Sequence, residues 1–216
     1  MLVGHFAVAL AGKRVEPKLS LGTLTLAAML PDVLWPIFTM AGIEYTGLKQ
    51  GSISDGLDAA FSHSLLTVPI WAILFAAVYF LLYRNRRAAV ILFLTVFSHW
   101  VLDSISGKNP LAPGTNIYFG LGLWRFFVPT LIVEGGLWLA ALVLYVRGTK
   151  ARNFAGKYFF WLVIGFLTLI WVGNIRSGAP PPSAVAGSLI FFLLCVAWAY
   201  WMNTARRPVD LDHPGN

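Results

Sequence analysis

The chain has 216 residues, of which 58% are hydrophobic and 12% are charged, and its formal net charge is +7. The charged fraction is about half of what soluble domains contain, and the mean hydropathy is high at +0.72. A soluble protein of this length cannot bury so much apolar surface, which excludes a soluble enzyme, a disordered chain and a DNA-binding module. The composition is typical of a polytopic membrane protein, in which about 20 apolar residues form each span.

Six long apolar runs free of lysine and arginine predict six transmembrane helices, so the expected fold class is all-α. A shorter apolar segment, Leu2 to Gly12, precedes them, and we expect it to form a half-inserted helix because it cannot reach across the bilayer. The predicted transmembrane domain covers residues 1–203, and a short polar tail covers residues 204–216. The six runs are Leu19–Ile43, Ala60–Tyr83, Ala88–Ile105, Val128–Val146, Tyr158–Gly173 and Ala184–Met202.

Prolines fall inside the first two apolar runs, at Pro31, Pro36 and Pro69. A proline in a helix interior removes a backbone hydrogen bond and bends the helix. Membrane helices tolerate such bends where a neighbouring helix or a cavity satisfies the freed carbonyl groups. We therefore expect kinks in both helices.

The positive charges are distributed unequally between the two membrane faces. If the six runs alternate in direction, one face receives 12 of the lysine and arginine residues and the other receives 4. Because cytoplasmic loops are enriched in these residues, the richer face is predicted to be cytoplasmic. That face carries the C-terminus, and the loops 44–59, 106–127 and 174–183 are predicted to face outward.

Ionisable side chains inside apolar runs are costly, and in membrane proteins they mark candidate functional sites. In this chain they are few, and each of them falls in the predicted outward half of its helix. No lysine or arginine within the runs neutralises the carboxylates, so a metal ion is the obvious substitute. These residues are His5, Asp32, His63, His99, Asp103 and Glu134.

The sharpest local motif is Ser98-His99-Trp100-Val101-Leu102-Asp103. The i, i+4 spacing puts His99 and Asp103 on one helix face, where an imidazole nitrogen and a carboxylate oxygen can bind one cation. The alternative is a hydrogen-bonded pair that stabilises helix packing. Because His5, Asp32 and His63 lie at matching depth, we favour one shared site for a divalent metal. Nitrogen and carboxylate ligands suit zinc first, and also manganese, iron or nickel.

The remaining candidates each have a simpler structural explanation. His5 and His63 stand near helix ends, where a local hydrogen bond is the usual role, and Asp32 can cap the helix that resumes after a proline. Glu134 is either a ligand or hydrogen-bonding partner near the metal, or a carboxylate that faces water. Arg125 lies in a predicted outward loop, where it can pair with a substrate phosphate or with a lipid headgroup.

The ordered set of motifs resembles the bacterial YdjM-type family of inner-membrane proteins. That family is described as membrane-bound, metal-dependent hydrolases, distantly akin to zinc-dependent phospholipase C and to other enzymes that cleave phosphoesters. The resemblance implies metal ligands at His5, Asp32, His63, His99 and Asp103, in a protein of the bacterial inner membrane. The motifs are Gly4-His5, Leu30-Pro31-Asp32, Phe61-Ser62-His63-Ser64-Leu65-Leu66 and Ser98-His99 through Asp103, within roughly residues 1–135.

Three functions are compatible with this pattern. A metal-dependent hydrolase would cleave a phosphoester of a lipid or lipid-linked substrate at the outer face, with Asp32 as a ligand or as the base that takes a proton from water. A divalent-cation transporter also places acidic and histidine residues in a broken helix, but no comparable residue continues a path into the cytoplasmic half. A non-catalytic membrane protein with a structural metal is the third alternative. We favour the hydrolase, and we expect no nucleic-acid partner.

Overall fold

The computed structural model describes residues 1–46, 57–175 and 184–209. Within these ranges the chain is mostly helical and contains nine α-helices, numbered here in chain order. They are α1 (Leu2–Val15), α2 (Leu21–Ala28), α3 (Leu30–Met40), α4 (Ala60–His63), α5 (Thr67–Tyr83), α6 (Arg86–Ser106), α7 (Phe127–Gly148), α8 (Phe160–Asn174) and α9 (Val185–Ala205). A 3-10 turn, Leu123–Arg125, precedes α7, and a π-helical turn, Ala155–Phe159, leads into α8.

Short antiparallel strand pairs join the loops at the helix ends. They are β1 (Tyr45–Thr46) with β2 (Leu57–Asp58), β3 (Asn109–Pro110) with β4 (Tyr118–Phe119), and β5 (Thr149–Ala151) with β6 (Arg206–Pro208). The last pair continues the chain beyond α9, so the start of the predicted tail forms the last turn of α9 and then a strand. Residues 210–216 of that tail lie outside the described residues, as do parts of the predicted outward loops 44–59 and 174–183.

Four helical stretches are long and apolar enough to cross a membrane: α6, α7, α9 and Ala155–Asn174, which includes α8. The helices α2 and α3 together pass the same test but are bent by 56°. The 17 residues of α5 stand at the lower limit for a span, and the 14 residues of α1 are too few. A helical membrane protein is therefore confirmed, whereas the predicted six spans are not: the described ranges give four, or five with the bent pair.

The first proline-containing run breaks at Met29, between α2 and α3. Pro31 has no N–H to donate to the carbonyl of Ala27, and its ring would crowd that carbonyl, which disfavours a continuous helix through this point. Pro31 itself lies in the first turn of α3, whereas Pro36 lies inside α3. The break leaves the last carbonyls of α2 without their usual intrahelical donors, which makes them available to other parts of the chain.

The second proline-containing run breaks before its proline, between α4 and α5. Pro69 falls in the first turn of α5, where a helix has no backbone hydrogen bond to lose. The expected kink at Pro69 is therefore wrong. The loop after α6 pairs with the backbone groups at this break: the N–H groups of Leu65 and Leu66 donate to the carbonyls of Pro110 and Leu111 at 3.2 and 3.1 Å.

The helix α1 lies at the centre of the packing. One cluster of buried apolar side chains joins α1 to α7, α8 and α9 and includes Phe6 and Trp138. A second cluster joins α1 to α2, α5 and α6 and includes Leu24 and Leu92. The faces of α5 to α9 that point away from the core carry exposed aliphatic side chains, as expected for helices that face lipid. The short apolar segment is thus a buried central helix, and its residue His5 is fixed between the two clusters.

Candidate metal centre

Five of the six ionisable residues that the apolar runs contain meet at one place in the fold. We call them the His/Asp cluster: His5 on α1, Asp32 on α3, His63 on α4, and His99 and Asp103 on α6. Two overlapping groups, His5–His99–Asp103 and Asp32–His63–His99, each bring one ligand atom per residue within 4.8 Å of the others. The expected juxtaposition of residues from four helices is therefore present, with separations that could hold a metal ion.

Asp103 is the residue that contacts most of the cluster. Its Oδ1 lies 3.1 Å from His5 Nε2 and 2.6 Å from the amino group of Met1. Its Oδ2 lies 3.1 Å from His99 Nε2 and 4.0 Å from His63 Nε2. The carboxylate therefore faces three imidazole rings, and the contact with the amino group indicates that a positive charge is accommodated beside it.

His99 is fully buried and has a defined orientation. Its Nδ1 donates a hydrogen bond of 2.8 Å to the carbonyl oxygen of Ala28, one of the carbonyls at the end of α2. In the neutral ring, Nε2 therefore carries the lone pair, and among the described residues this atom has no hydrogen-bond partner. It lies 3.1 Å from Asp103 Oδ2 and 3.8 Å from Asp32 Oδ1. A backbone carbonyl that accepts one ring N–H while the other nitrogen faces the site is the usual support of a metal-ligating histidine.

The three imidazole rings of the cluster lie close together. The rings of His5 and His99 are stacked, with centroids 3.7 Å apart and planes within 5°. The His63 ring stands at 64° to that of His99, with a centroid separation of 5.1 Å. Since like charges repel strongly at such distances in a buried site, the stacking disfavours simultaneous protonation of His5 and His99.

Asp32 and His63 form the more accessible side of the cluster. Asp32 Oδ1 lies 3.4 Å from His63 Nε2, and the two side chains are 21% and 13% exposed. Asp103 is 14% exposed, whereas His5 is 2% exposed and His99 is completely buried. Asp32 is therefore the most exposed member of the cluster, and its side of the cluster is the more accessible one.

A buried carboxylate that the sequence analysis missed lies behind His63. The Oε1 atom of Glu44, in the loop after α3, accepts hydrogen bonds of 2.7 Å from the backbone N–H groups of Phe61 and Ser62. The hydroxyl of Ser62 lies 2.7 Å from His63 Nδ1 and within 3.0 Å of both carboxylate oxygens. Burial raises the pKa of Glu44, although the hydrogen bonds from Ser62 oppose that shift. The candidate carboxylates of the sequence all lie inside the apolar runs, whereas Glu44 follows the end of the first run at Ile43.

The two other candidates from the sequence lie outside the His/Asp cluster. Glu134 is completely buried on α7, and its Oε1 accepts a hydrogen bond of 3.3 Å from the backbone N–H of Gly4. It therefore contacts the turn of α1 that carries His5, and its second oxygen has no hydrogen-bond partner in the described part of the chain. Arg125 is exposed at the end of the 3-10 turn before α7. A role for either residue stays a prediction.

The fold and the cluster together define a helical integral membrane protein with a His/Asp group that could hold a metal ion. The model of the YdjM inner membrane protein family matches residues 1–206, and the chain therefore belongs to this family. The match confirms an inner-membrane protein and extends well past the motifs, to the end of α9. Searches among curated proteins and among solved structures each found no match. The kinship with phospholipase C and the orientation of the termini stay predictions.

Proposed function

We propose that this protein is a membrane-embedded, metal-dependent hydrolase that cleaves a phosphoester of a lipid or lipid-linked substrate at the extracytoplasmic face. The observation that carries the proposal is the His/Asp cluster, which contains three imidazoles and two carboxylates but no lysine or arginine. The Met1 amino group balances the charge of Asp103, so the second buried carboxylate, that of Asp32, still requires a cation. The imidazoles directed at the two carboxylates supply the nitrogen ligands of a metal site. Membership of the YdjM family agrees with the membrane location of such an enzyme.

The donor set fits one divalent ion better than two. His99 belongs to both groups of three residues, and its Nδ1 proton is already donated to Ala28. Its Nε2 is therefore its one metal-binding atom, and a single lone pair binds a single ion. The two groups cannot both be complete as separate sites. Imidazole and carboxylate ligands without a thiolate favour zinc, with manganese, iron and nickel as alternatives.

The side chains of the cluster divide into ligands and a base. We infer that His5, His63, His99 and Asp103 hold the metal, which when bound acts as a Lewis acid on a phosphoryl oxygen and lowers the pKa of a water. Asp32 is the more exposed carboxylate, at 21% against 14% for Asp103. Since it borders the accessible side of the cluster, it is suited to accept a proton from the attacking water.

The location of the cluster suits a substrate that remains in the lipid. The helix α6 begins with Arg86 and carries His99 and Asp103 in its last turns, so that about 20 Å of helix separates the cluster from the arginine. The positive-inside rule then assigns the cluster to the outward membrane surface. Two exposed apolar side chains, Phe61 at 45% and Leu66 at 58%, flank His63 and offer contacts to the acyl region of a lipid.

Metal analysis of the purified protein tests the proposal. We expect detergent-solubilised protein, prepared without chelators, to contain about one equivalent of zinc or a related metal per chain. His99→Ala and Asp103→Ala should lose the metal together with hydrolysis of a phospholipid or a chromogenic phosphodiester in mixed micelles. Ser98→Ala is the matched control, because that hydroxyl donates to the Thr95 carbonyl of its own helix. A wild-type metal content far below one equivalent contradicts the metal site, and bound metal without hydrolysis of any such substrate contradicts the enzyme.

A further inference from the structure

A chain of hydrogen bonds leads from His63 away from the His/Asp cluster to the buried carboxylate of Glu44. Glu44 is 1% exposed and Ser62 is completely buried, so neither is a surface polar residue. The Ser62 hydroxyl lies between two groups, 2.9 Å from Glu44 Oε2 and 2.7 Å from His63 Nδ1. A buried carboxylate on the far side of a candidate ligand requires a structural or functional reason.

The donors and acceptors along this chain fix the position of the protons. When Glu44 is ionised, its carboxylate only accepts hydrogen bonds, and the single hydroxyl proton of Ser62 is donated to Glu44. The Ser62 oxygen is then an acceptor for the proton on His63 Nδ1. His63 Nε2 is left with its lone pair, 3.4 Å from the carboxylate oxygen of Asp32. Two acceptors that face each other at this distance are stabilised by a cation between them.

We propose that Glu44 and Ser62 are positioning residues that hold His63 in the tautomer able to bind a metal ion. This inference rests on the metal site proposed above and assigns to it a supporting pair, of which Ser62 lies in a sequence motif and Glu44 does not. Metal-ligating histidines usually donate their second N–H to a carboxylate, a carbonyl or a water, which sets the ring orientation and the basicity of the ligand. Here the Ser62 hydroxyl lies between the Glu44 carboxylate and the His63 ring, so the carboxylate orients the hydroxyl and the hydroxyl orients the ring.

His99 is held in the same tautomer by a single contact with the backbone. Its Nδ1 proton is donated to the backbone carbonyl of Ala28, and its Nε2 faces the cluster. His63 sits at the end of the short helix α4, where the adjacent residue Ser62 takes that place. Both rings therefore present Nε2 to the same carboxylates, although the groups behind them have different origins in the chain.

The tautomer can be measured without any substitution. In metal-free protein labelled with ¹⁵N-histidine, at a pH above the titration range of histidine, His63 should give the NMR signature of an Nδ1–H, Nε2-unprotonated ring. A spectrum of His63→Gln identifies the resonance of this ring. An Nε2–H tautomer for His63 in the wild type would overturn the inference, whether or not the protein binds metal.

Two substitutions are expected to reverse or remove the hydrogen-bond chain. In Glu44→Gln the amide oxygen retains the backbone N–H donors and the amide NH₂ faces the Ser62 hydroxyl. That hydroxyl then donates to His63 Nδ1, and the ring changes to the Nε2–H tautomer. We expect roughly 10- to 100-fold weaker zinc binding for Glu44→Gln and Ser62→Ala, measured by competition with a chromogenic chelator.

Two further variants separate this role from general packing. Ser62→Thr retains the hydroxyl and should restore the wild-type tautomer and zinc affinity. Ser98→Ala removes a hydroxyl that precedes His99 as Ser62 precedes His63. This variant should leave the His63 tautomer and the zinc affinity unchanged. If the wild type binds no zinc, the proposed function fails, and the tautomer of the metal-free protein still decides this inference. If the wild type binds zinc and Glu44→Gln and Ser62→Ala bind it equally well with an unchanged tautomer, the inference is wrong.

Discussion

Asp32 and Asp103 are carboxylates of the same cluster with different surroundings. Asp103 contacts His5, His99 and the Met1 amino group at 2.6 to 3.1 Å. Asp32 has longer contacts with histidine nitrogens, 3.4 and 3.8 Å, and a greater exposed fraction. In the proposed enzyme, these differences favour Asp103 as a metal ligand and Asp32 as the base.

The substitution Asp32→Asn tests that separation. It nearly preserves the shape of the side chain but removes its ability to accept a proton as a carboxylate does. We expect the variant to retain its metal and to lose roughly 100-fold or more in the rate of phosphodiester hydrolysis. Asp103→Asn, the matched change on the other carboxylate, should lose metal and rate together. Loss of metal from Asp32→Asn would make Asp32 a ligand and would contradict its assignment as the base.

At the scale of single residues, the sequence predicted the members of the cluster but not their supports. The i, i+4 spacing of His99 and Asp103 and the common depth of the others are properties that a helical pattern reveals. The contact of Glu44 with Ser62 requires the β1–β2 pairing, in which Tyr45 lies opposite Asp58. Such pairing depends on the path of the loop, which composition and periodicity do not encode.

At the scale of elements, α2 is held against α9 by close packing at a glycine. A Cβ atom at Gly22 would overlap the ring of Tyr200 on α9. Polar contacts lie on either side, since the N–H of Leu21 donates to Asn203 Oδ1 at 3.1 Å and the hydroxyls of Thr23 and Tyr200 are 3.1 Å apart. Because the last turn of α2 supplies the carbonyl that orients His99, this packing also sets the geometry of the cluster.

The substitution Gly22→Ala is expected to destabilise the protein by about 1–3 kcal/mol, because the added methyl group forces α2 and α9 apart. The measurement is the midpoint of thermal unfolding in detergent, followed by tryptophan fluorescence. Gly187→Ala on α9 is the matched control, since its Cβ would meet no heavy atom of the described residues within 4 Å. Equal midpoints for the two variants would show that the α2–α9 approach is looser than the structure indicates.

The helix boundaries were predictable where local chemistry decides them and not where distant segments do. The break before Pro31 follows from a missing N–H, which the sequence reveals. The break between α4 and α5 depends on hydrogen bonds from Leu65 and Leu66 to the loop after α6, more than 40 residues further along the chain. For that reason the sequence assigned the second bend to Pro69, which the structure places in a regular first turn.

At the scale of the whole molecule, the basic helix ends lie opposite the cluster. Lys13 is near the end of α1 away from His5, where its Nζ donates to the carbonyls of Pro17 and Leu19 and to Asn203 Oδ1 at 2.6 to 2.9 Å. Arg86 begins α6, which carries cluster residues toward its other end. Lys13 and Arg86 thus lie at the helix ends opposite to those that carry the His/Asp cluster.

A reporter enzyme that is active only outside the cytoplasm tests the orientation. We expect it to be inactive when fused after Asn216, because the positive-inside rule assigns the C-terminus to the cytoplasm. A fusion of the same reporter after Gly114, in an exposed turn of the loop that follows α6, should be active. The opposite pattern of activities would show that the protein has the reverse orientation, with the cluster at the cytoplasmic surface.

The central position of α1 has a consequence for the order in which the protein assembles. This helix is synthesised before α6 and α7, yet His5 contacts a residue 98 positions later in the chain, and Gly4 contacts one 130 positions later. Those contacts cannot form until α6 and α7 have been synthesised. The 14 residues of α1, too few to cross the bilayer, therefore lack these partners during the synthesis of the intervening chain. His5 is therefore made well before the carboxylate that it contacts in the folded protein.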